Sequence, residues 1–138
     1  MVELADVYSE PLAHKILFNL LAERTGIESI SHKRLPSFAE HCRFVDSKPY
    51  QFWYLIDRPG FCIGAIYLTE RLAEIGCWLF RAHDSADLRA KAIVALMRRH
   101  PRPRYVANIN PKNDDLTAVF GSLGFKHIQN TYELIPDV

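Results

Sequence analysis

The stretch Asn108–Leu134, NINPKNDDLTAVFGSLGFKHIQNTYEL, sets the fold expected of this chain. Tyr105, Val106 and Ala107 lead into it as an apolar strand. Asn110-Pro111 breaks that strand, because proline fixes φ and supplies no N–H. Asn113 then reads as a helix N-cap, its side chain accepting a bond from an unpaired N–H of the first turn. Asp114 and Asp115 follow, where the positive end of the helix dipole favours carboxylates. Leu116, Val119, Phe120 and Leu123 recur at helical spacing and make one apolar face. Gly124 falls where a left-handed C-cap is wanted, and Phe125 is placed to fold back on the helix. Thr131 to Leu134 reads as a closing strand.

Working outward, 138 residues is the size of one domain with a real core, taken here as residues 1–138. Hydrophobic residues make up 49% and charged residues 24%, which is ordinary for a globular protein. A net charge of +1 gives no long-range pull on nucleic acid or on an anionic membrane. Lys33-Arg34 and Arg98 to Arg104 are basic, but aromatic partners are sparse there, so nucleic-acid binding is not expected. Cys42, Cys62 and Cys77 have no metal-ligand spacing and no even pairing, so they read as reduced thiols. Cytoplasmic residence is the expectation. No apolar run is long enough to span a bilayer, and the first residues lack the order of a secretory signal.

Val2 to Tyr8 reads as either a short first strand or an irregular lead-in. Pro11 suits a first helical turn, Leu12, Ile16, Leu17, Leu20 and Leu21 form a stripe, and Gly26 is a natural stop. Ser31 to Pro36 is a polar, basic loop. Ser37 with Glu40 forms a capping box, opening a helix with Phe38, Cys42 and Val45 on its inner face. Three strands follow, Gln51 to Asp57, Phe61 to Thr69 and Ala73 to Phe80, as an antiparallel meander. Asp84 to His100 is a helix burying Leu88, Ala92, Ala95 and Leu96, with Arg98 and Arg99 at the end that favours cations.

The order is helix, helix, three strands, helix, strand, helix, strand. With Asn113, Leu123-Gly124-Phe125 and Thr131-Tyr132-Glu133-Leu134, it resembles the GNAT superfamily of N-acetyltransferases from about Ile30 onward. The resemblance implies an α/β (α+β) fold: a mixed, mostly antiparallel central sheet with helices on both faces. It implies that the third meander strand and the strand at Tyr105 run parallel and splay apart. The pantetheine arm of acetyl-CoA would lie in that gap, with Cys77, Trp78 and Leu79 on one side and Tyr105 to Asn108 on the other. The loop around Ile30 to Leu35 would help wall the acceptor site.

Within that resemblance Glu74 is the candidate general base, because many family members carry a glutamate on this strand. A carboxylate buried there gains basicity as desolvation disfavours its charged form. The alternative is an edge-strand carboxylate facing water. His83 is a second candidate base. Many relatives have a tyrosine after the phenylalanine of the last helix, as general acid to the leaving thiolate. Here Phe120 is followed by Gly121, which leaves Tyr132 and Tyr67 as possible replacements.

The family's glycine-rich pyrophosphate loop would fall at Arg81 to Arg89, RAHDSADLR, which has no glycine. Asp84 caps the following helix in this reading and Asp87 bonds back to it, so the chain's own carboxylates serve the N–H groups. Two such charges beside a pyrophosphate would cost on the order of 1 kcal/mol or more, offset in part by Arg81, Arg89 and Lys91. The resemblance assigns cofactor contacts to Asp84, Ser85, Ala86, Asp87, Leu88, Arg89, Asn113 and Phe120. It implies acetyl-CoA or another acyl-CoA as co-substrate, a small-molecule or peptide amine as acceptor, and no metal. A homodimer is possible in this reading. The alternative reading is a catalytically inactive GNAT-fold interaction module that has lost CoA binding.

Overall fold

The structure, a computed structural model, describes residues 1–24 and 34–137. Gly26 and most of the Ile30–Leu35 loop therefore lie outside the described residues. Four strands, β1 (Glu3–Asp6), β2 (Phe52–Arg58), β3 (Phe61–Leu68) and β4 (Ile75–Leu79), form an antiparallel sheet in sequence order. Helices α1 (Ala13–Ala22) and α2 (Phe38–Asp46) belong to one face, and α3 (Ala86–Arg99) and α4 (Asp114–Ser122) to the other.

Because both faces are covered, the middles of the central strands are buried at consecutive positions and not only at alternate ones. On β2, Trp53 and Leu55 pack towards α1 and α2, while Tyr54 and Ile56 pack towards α3 and α4. On β4, Ile75, Cys77 and Leu79 join the α3/α4 core, and Trp78 joins the α1/α2 core. Full burial of side chains such as Ile56, Ile66, Leu68, Ile93 and Leu96 contributes about 1.5–3 kcal/mol each. Ile63 is the extra residue of a bulge, since Ile56 pairs with Gly64 and Asp57 with Cys62.

The locally encoded signals behave as read. Ser37 accepts from the Glu40 N–H and Glu40 reaches back to the Ser37 N–H. Asn113 Oδ1 accepts from the Leu116 N–H at 3.1 Å. At the end of α4, the Phe125 N–H donates to the Phe120 carbonyl and the Gly124 N–H to that of Gly121, with Gly124 at φ +97°. This is the Schellman pattern, closed by the Phe120 and Phe125 rings at 4.9 Å.

Four expectations need correction. First, α2 turns His41 and Val45 inward, while Phe38 is 47% exposed and lies edge-on to Phe18 at 5.3 Å. The capping box fixes where the helix starts, and the phase follows from it. Second, α3 buries Arg89, Ala92, Ile93 and Leu96, whereas Leu88 and Ala95 are half-buried. Third, Tyr105 to Ala107 contributes one parallel bridge and no strand. Fourth, residues 125–137 form no strand, and Ile128, Tyr132, Leu134 and Ile135 are exposed. A strand needs a ladder to join, and 105–109, held at one bridge, offers none.

Packing gives two kinds of prediction, the first at glycines. Gly64 lies under β4, where an added Cβ would collide with the Trp78 carbonyl oxygen and come within 2.8 Å of Leu79 Cα. Gly64→Ala should cost about 1–3 kcal/mol in urea unfolding. Gly121→Ala, on α4 with open space around it, should gain about 0.5–1 kcal/mol from helix propensity. The second concerns His100, which stacks on Phe52 at 3.6 Å and shares a 2.7 Å hydrogen bond with the Tyr54 hydroxyl. Burial, then Arg102 and Arg99, holds its pKa below the ordinary 6.5. The unfolded chain thus takes up this proton first as pH falls. Stability should be full above 6.5 and decline as pH drops towards the lowered native value. His100→Phe should flatten that slope in melts run from pH 7.5 to 5.

Candidate functional site

The Glu74–Val106 bridge is where two segments meet and then part. The Ile75 N–H donates to the Val106 carbonyl at 2.8 Å, and the Val106 N–H to the Ala73 carbonyl at 3.0 Å. Past that bridge the structure pairs β4 with the chain beyond Val106 nowhere among the described residues. Strand backbone groups alternate in direction, so the N–H and C=O of Cys77 and Leu79 point the same way as those of Ile75, into the gap. The Tyr105 hydroxyl fixes the other wall by donating to the carbonyls of Met97 and His100 at the end of α3.

Glu74 enters β4 from an unusual turn. Ala73 has φ +51°, a left-handed conformation that a non-glycine residue adopts only under constraint. The Glu74 N–H donates to Thr69 Oγ1 at 2.9 Å, and its carbonyl accepts from the Thr69 N–H at 3.0 Å. By strand alternation Glu74 shares the α1/α2 face with Gly76 and Trp78. There it meets aromatic rings. Tyr50 and Tyr67 stack in parallel at 3.8 Å, and Tyr67 lies 5.6 Å from Trp78. The Arg24 guanidinium covers the Trp78 ring at 3.8 Å. Burial pushes the Tyr50 phenol up to about 12, with Arg24 lowering it and Glu74 raising it. Tyr67 is raised further, by burial first, then by Tyr50 and Glu74. Both phenols are therefore protonated at neutral pH and are weaker acids than an exposed tyrosine. Gly76 makes room for this, because a Cβ there would overlap the Tyr67 ring and lie 2.6 Å from Trp78.

The loop that follows β4 differs from its sequence reading. A 3₁₀ turn spans Arg81–His83, and the N-cap of α3 is Ser85, whose hydroxyl accepts from the Leu88 N–H at 3.2 Å. Asp84 does not cap. It pairs with Arg89 Nε at 2.7 Å, and that guanidinium is nearly buried. Asp87 does not bond back to a cap either, but pairs with Lys91 at 2.9 Å. Each carboxylate is thus met by a cation of α3. The Arg81 N–H donates to Glu23 Oε1 at 2.9 Å, tying the loop to the end of α1. Ala86, Leu88 and Arg89 sit in the first turn of α3. Burial pushes the Cys77 thiol up to about 12, with Arg89 lowering it and Asp84 raising it.

Asn113 and Phe120 are further off. Asn113 is buried and spends its side-chain oxygen on its own helix. Phe120 is 2% exposed and borders a cleft of about 1790 Å³ that wraps the open edge of 105–111. Gly121, Tyr132 and Arg24 also line that cleft, but Glu74 and the Asp84–Arg89 loop do not. It exists because residues 125–133 stand away from the sheet. The chemistry-bearing groups meet at the splay of β4, so the cleft is not taken as the site. Tyr67 stands beside Glu74, whereas Tyr132 is 88% exposed. His83 packs against Phe61 at 5.0 Å. Among the described residues no group of His, Cys, Asp and Glu is placed to hold a metal ion.

Sequence reasoning missed Arg24 and Tyr50. Tyr50 precedes β2 and gave no signal beyond being aromatic. Arg24 lies past the end of α1, and only the tertiary fold brings it to Trp78.

No protein-family model matches the sequence, and no curated protein matches it significantly. The fold has close counterparts among solved structures. A ribosomal-protein-alanine N-acetyltransferase from Brucella melitensis superposes with TM-score 0.70 at 13% identity, over 94% of this chain and 86% of its own. An aminoglycoside 6'-N-acetyltransferase from Acinetobacter haemolyticus gives 0.68 at 13%, over 100% and 99%. A putative acetyltransferase from Salmonella typhimurium, solved with its cofactor acetyl-CoA, gives 0.65 at 17%, over 91% and 78%. The chain has the GNAT fold: a four-stranded antiparallel sheet, touched by one isolated parallel bridge at Glu74–Val106, with helices on both faces.

Asp84 is 43% exposed as a side chain and Arg89 only 8%, so the pair loses unequally when cut. Asp84→Ala strands a nearly buried guanidinium and should cost about 1–3 kcal/mol in chemical unfolding. Asp87→Ala, which cuts an exposed pair one helical turn long, should cost under about 0.5 kcal/mol.

Proposed function

We propose that this chain is a GNAT-type N-acetyltransferase, moving an acetyl or other acyl group from acyl-CoA to an amine. The observation that carries this reading is the parallel bridge at Glu74–Val106 that opens at once into a gap. A pantetheine amide chain needs backbone donors and acceptors, and the gap offers those of Cys77 and Leu79. Glu74 stands at its closed end on the face lined by α1 and α2.

In this reading the acceptor arrives on the α1/α2 face as an ammonium. Glu74 takes its proton, directly or through water, so that the nitrogen lone pair is free. Acetyl-CoA supplies a thioester carbonyl; the C–N bond forms there as the C–S bond breaks and the thiolate leaves. A thiolate leaves without much help, which suits a site whose helix carries Gly121 where relatives carry tyrosine. The phenol of Tyr67, held protonated beside Glu74, is a donor within the same cluster. The first turn of α3, with Arg89 and Lys91 close by, would meet the pyrophosphate. Cys77, Trp78, Leu79 and Ser85 to Leu88 are the proposed contacts of the cofactor, with Asn113 and Phe120 supporting from α4.

A second reading has its own observation. Asp84–Arg89 and Asp87–Lys91 are internal ion pairs, and Ser85 already serves one N–H of the turn. A loop so satisfied has less to offer a pyrophosphate, as in a fold kept as an interaction module.

One measurement separates the two. Acetyl-CoA at about a hundred times its dissociation constant should stabilise the fold by about 2.7 kcal/mol, a melting shift of several degrees. Glu74→Gln should keep that shift and lose about 10²–10⁴-fold in acyl-CoA-dependent thiol release across an amine panel. No shift at millimolar acetyl-CoA or CoA would retire the enzyme reading in favour of the interaction module.

A further inference from the structure

Residues 105–109 and 126–137 are two stretches that the sheet leaves unused. Val106 turns its N–H and C=O to Ala73 and Ile75. By alternation those of Tyr105 and Ala107 face away from β4, and among the described residues no backbone group bonds them. The outer edge of this segment is therefore open. The tail 126–137 makes no backbone hydrogen bond to any other described segment. Its residues nevertheless alternate as those of a strand do. Ile128, Tyr132 and Leu134 share one face with Asn130, while Gln129, Thr131 and Glu133 share the other. The three apolar members of the first face are all exposed. The cleft of about 1790 Å³ separates this tail from the open edge. Its lining includes the apolar Met97, Val106 and Phe120 and the exposed cations Arg34, Arg104 and Lys126. One chain thus holds an edge without a strand and a strand without an edge.

We propose that the tail of a second copy of this chain enters the cleft, pairing antiparallel with the resident tail on one side and lying along the open edge of 105–109 on the other. The exchange is reciprocal, so two-fold symmetry joins the two cores through one sheet and closes the assembly at two copies. The charges of the tail favour this partner. They run from Lys126 at its start to Glu133 and Asp137 at its end. A strand with that order complements itself when reversed. Among the described residues that line the cleft, Glu133 is the one carboxylate against several cations, which suits an incoming acidic end. Pairing centred on Thr131 sets that residue opposite its own copy, Ile128 opposite Leu134, and Asn130 opposite Tyr132. The apolar side chains then share one face, and a threonine pair is a favourable cross-strand contact. Pro136 has no N–H to give and ends the ladder. Within one copy the tail finds no ladder, because 105–109 is held at one bridge; the second tail supplies it. Two such strands alone would be marginal in water, and the apolar lining of the cleft covers the face they need to bury. The inference does not depend on the acyltransferase reading.

The test uses the whole chain and reads its mass by light scattering after gel filtration, over a range of concentrations. The unaltered chain should run as a dimer that dissociates on dilution. Thr131→Pro removes the N–H at the centre of the strand and should weaken the dimer about tenfold or more, with the circular dichroism of the fold kept. Lys126→Glu should weaken it as well, and Asp137→Lys added to Lys126→Glu should restore it. Cysteines read the register. Under oxidised glutathione Thr131→Cys should link to its own copy, Ile128→Cys alone and Leu134→Cys alone should not, and a mixture of those two should. A monomer at every concentration, a dimer indifferent to Thr131→Pro, or linking at 128 as ready as at 131 would overturn the proposal. A series of ever larger oligomers would do the same, because the exchange closes at two. So would loss of the fold in Thr131→Pro, since the tail would then belong to its own core. The acyltransferase reading is judged separately, by the acetyl-CoA melt and thiol release, so either idea can fail while the other stands.

Discussion

One pair of hydrogen bonds, Ile75 N–H to the Val106 carbonyl and Val106 N–H to the Ala73 carbonyl, governs where the sheet ends and where the site begins. To make it, the chain turns at Ala73 in a left-handed conformation, which costs on the order of 1 kcal/mol. Thr69 offsets that cost through two bonds to Glu74. The turn does three things together. It aligns β4 with β3, it docks 105–109 against β4 at one point, and it sends the Glu74 side chain to the face opposite Ile75 and Cys77. A glycine at position 73 would relax the turn, yet it would remove a buried methyl from the larger core. The observed residue favours packing over backbone ease.

Electrostatics around this point are arranged by pairing, not by removing charge. The loop between β4 and α3 carries Asp84 and Asp87 where an anion-binding loop would carry glycine. Each is answered by a cation from the first two turns of α3. A phosphate entering here meets no bare carboxylate repulsion. It also finds cations already engaged, so its gain is the difference between two charge-assisted partners. The same logic holds on the opposite face, where Glu74 and Arg24 compete for influence over two phenols. Neither locality has a large net charge, in keeping with a chain whose formal charge is +1. A charged ligand at the loop would therefore have to exchange partners with a resident ion pair. Exchange is what makes affinity depend on how tightly the resident partner is held.

The sequence made the helices legible because their ends are encoded within a few residues. Ser37 with Glu40, Asn113 with Leu116, and Gly124 with Phe125 each form from side chains and backbone within one turn of each other. The meander was legible for a like reason, since Arg58-Pro59-Gly60 and the β-branched runs beside it are local. What was not legible depends on partners far away in the chain. The closing strand was read from Thr131 to Leu134, a good strand sequence by composition, but a strand exists only where an edge receives it. The face of α3 was misread in part, because Leu88 was preferred to Arg89 as a core residue. Only the buried pairing with Asp84 makes the arginine acceptable inside. By chemistry alone Asp84 and Ser85 are equally apt caps, and Ser85 is one residue better placed.

The candidate site was half legible for the same cause. Glu74 follows from its position on a strand of known order, and position along a strand survives without any knowledge of neighbours. What surrounds Glu74 does not. Tyr50, Tyr67, Trp78 and Arg24 come from the lead-in to β2, from β3, from β4 and from the end of α1, and no spacing rule connects them. Physical reasoning from sequence identifies which groups have chemistry to offer. Which of those groups share a volume of a few hundred cubic ångströms is settled by topology alone. In this chain that sharing turns a strand glutamate into one member of a cluster of rings and opposed charges, whose cation is drawn from the protein itself.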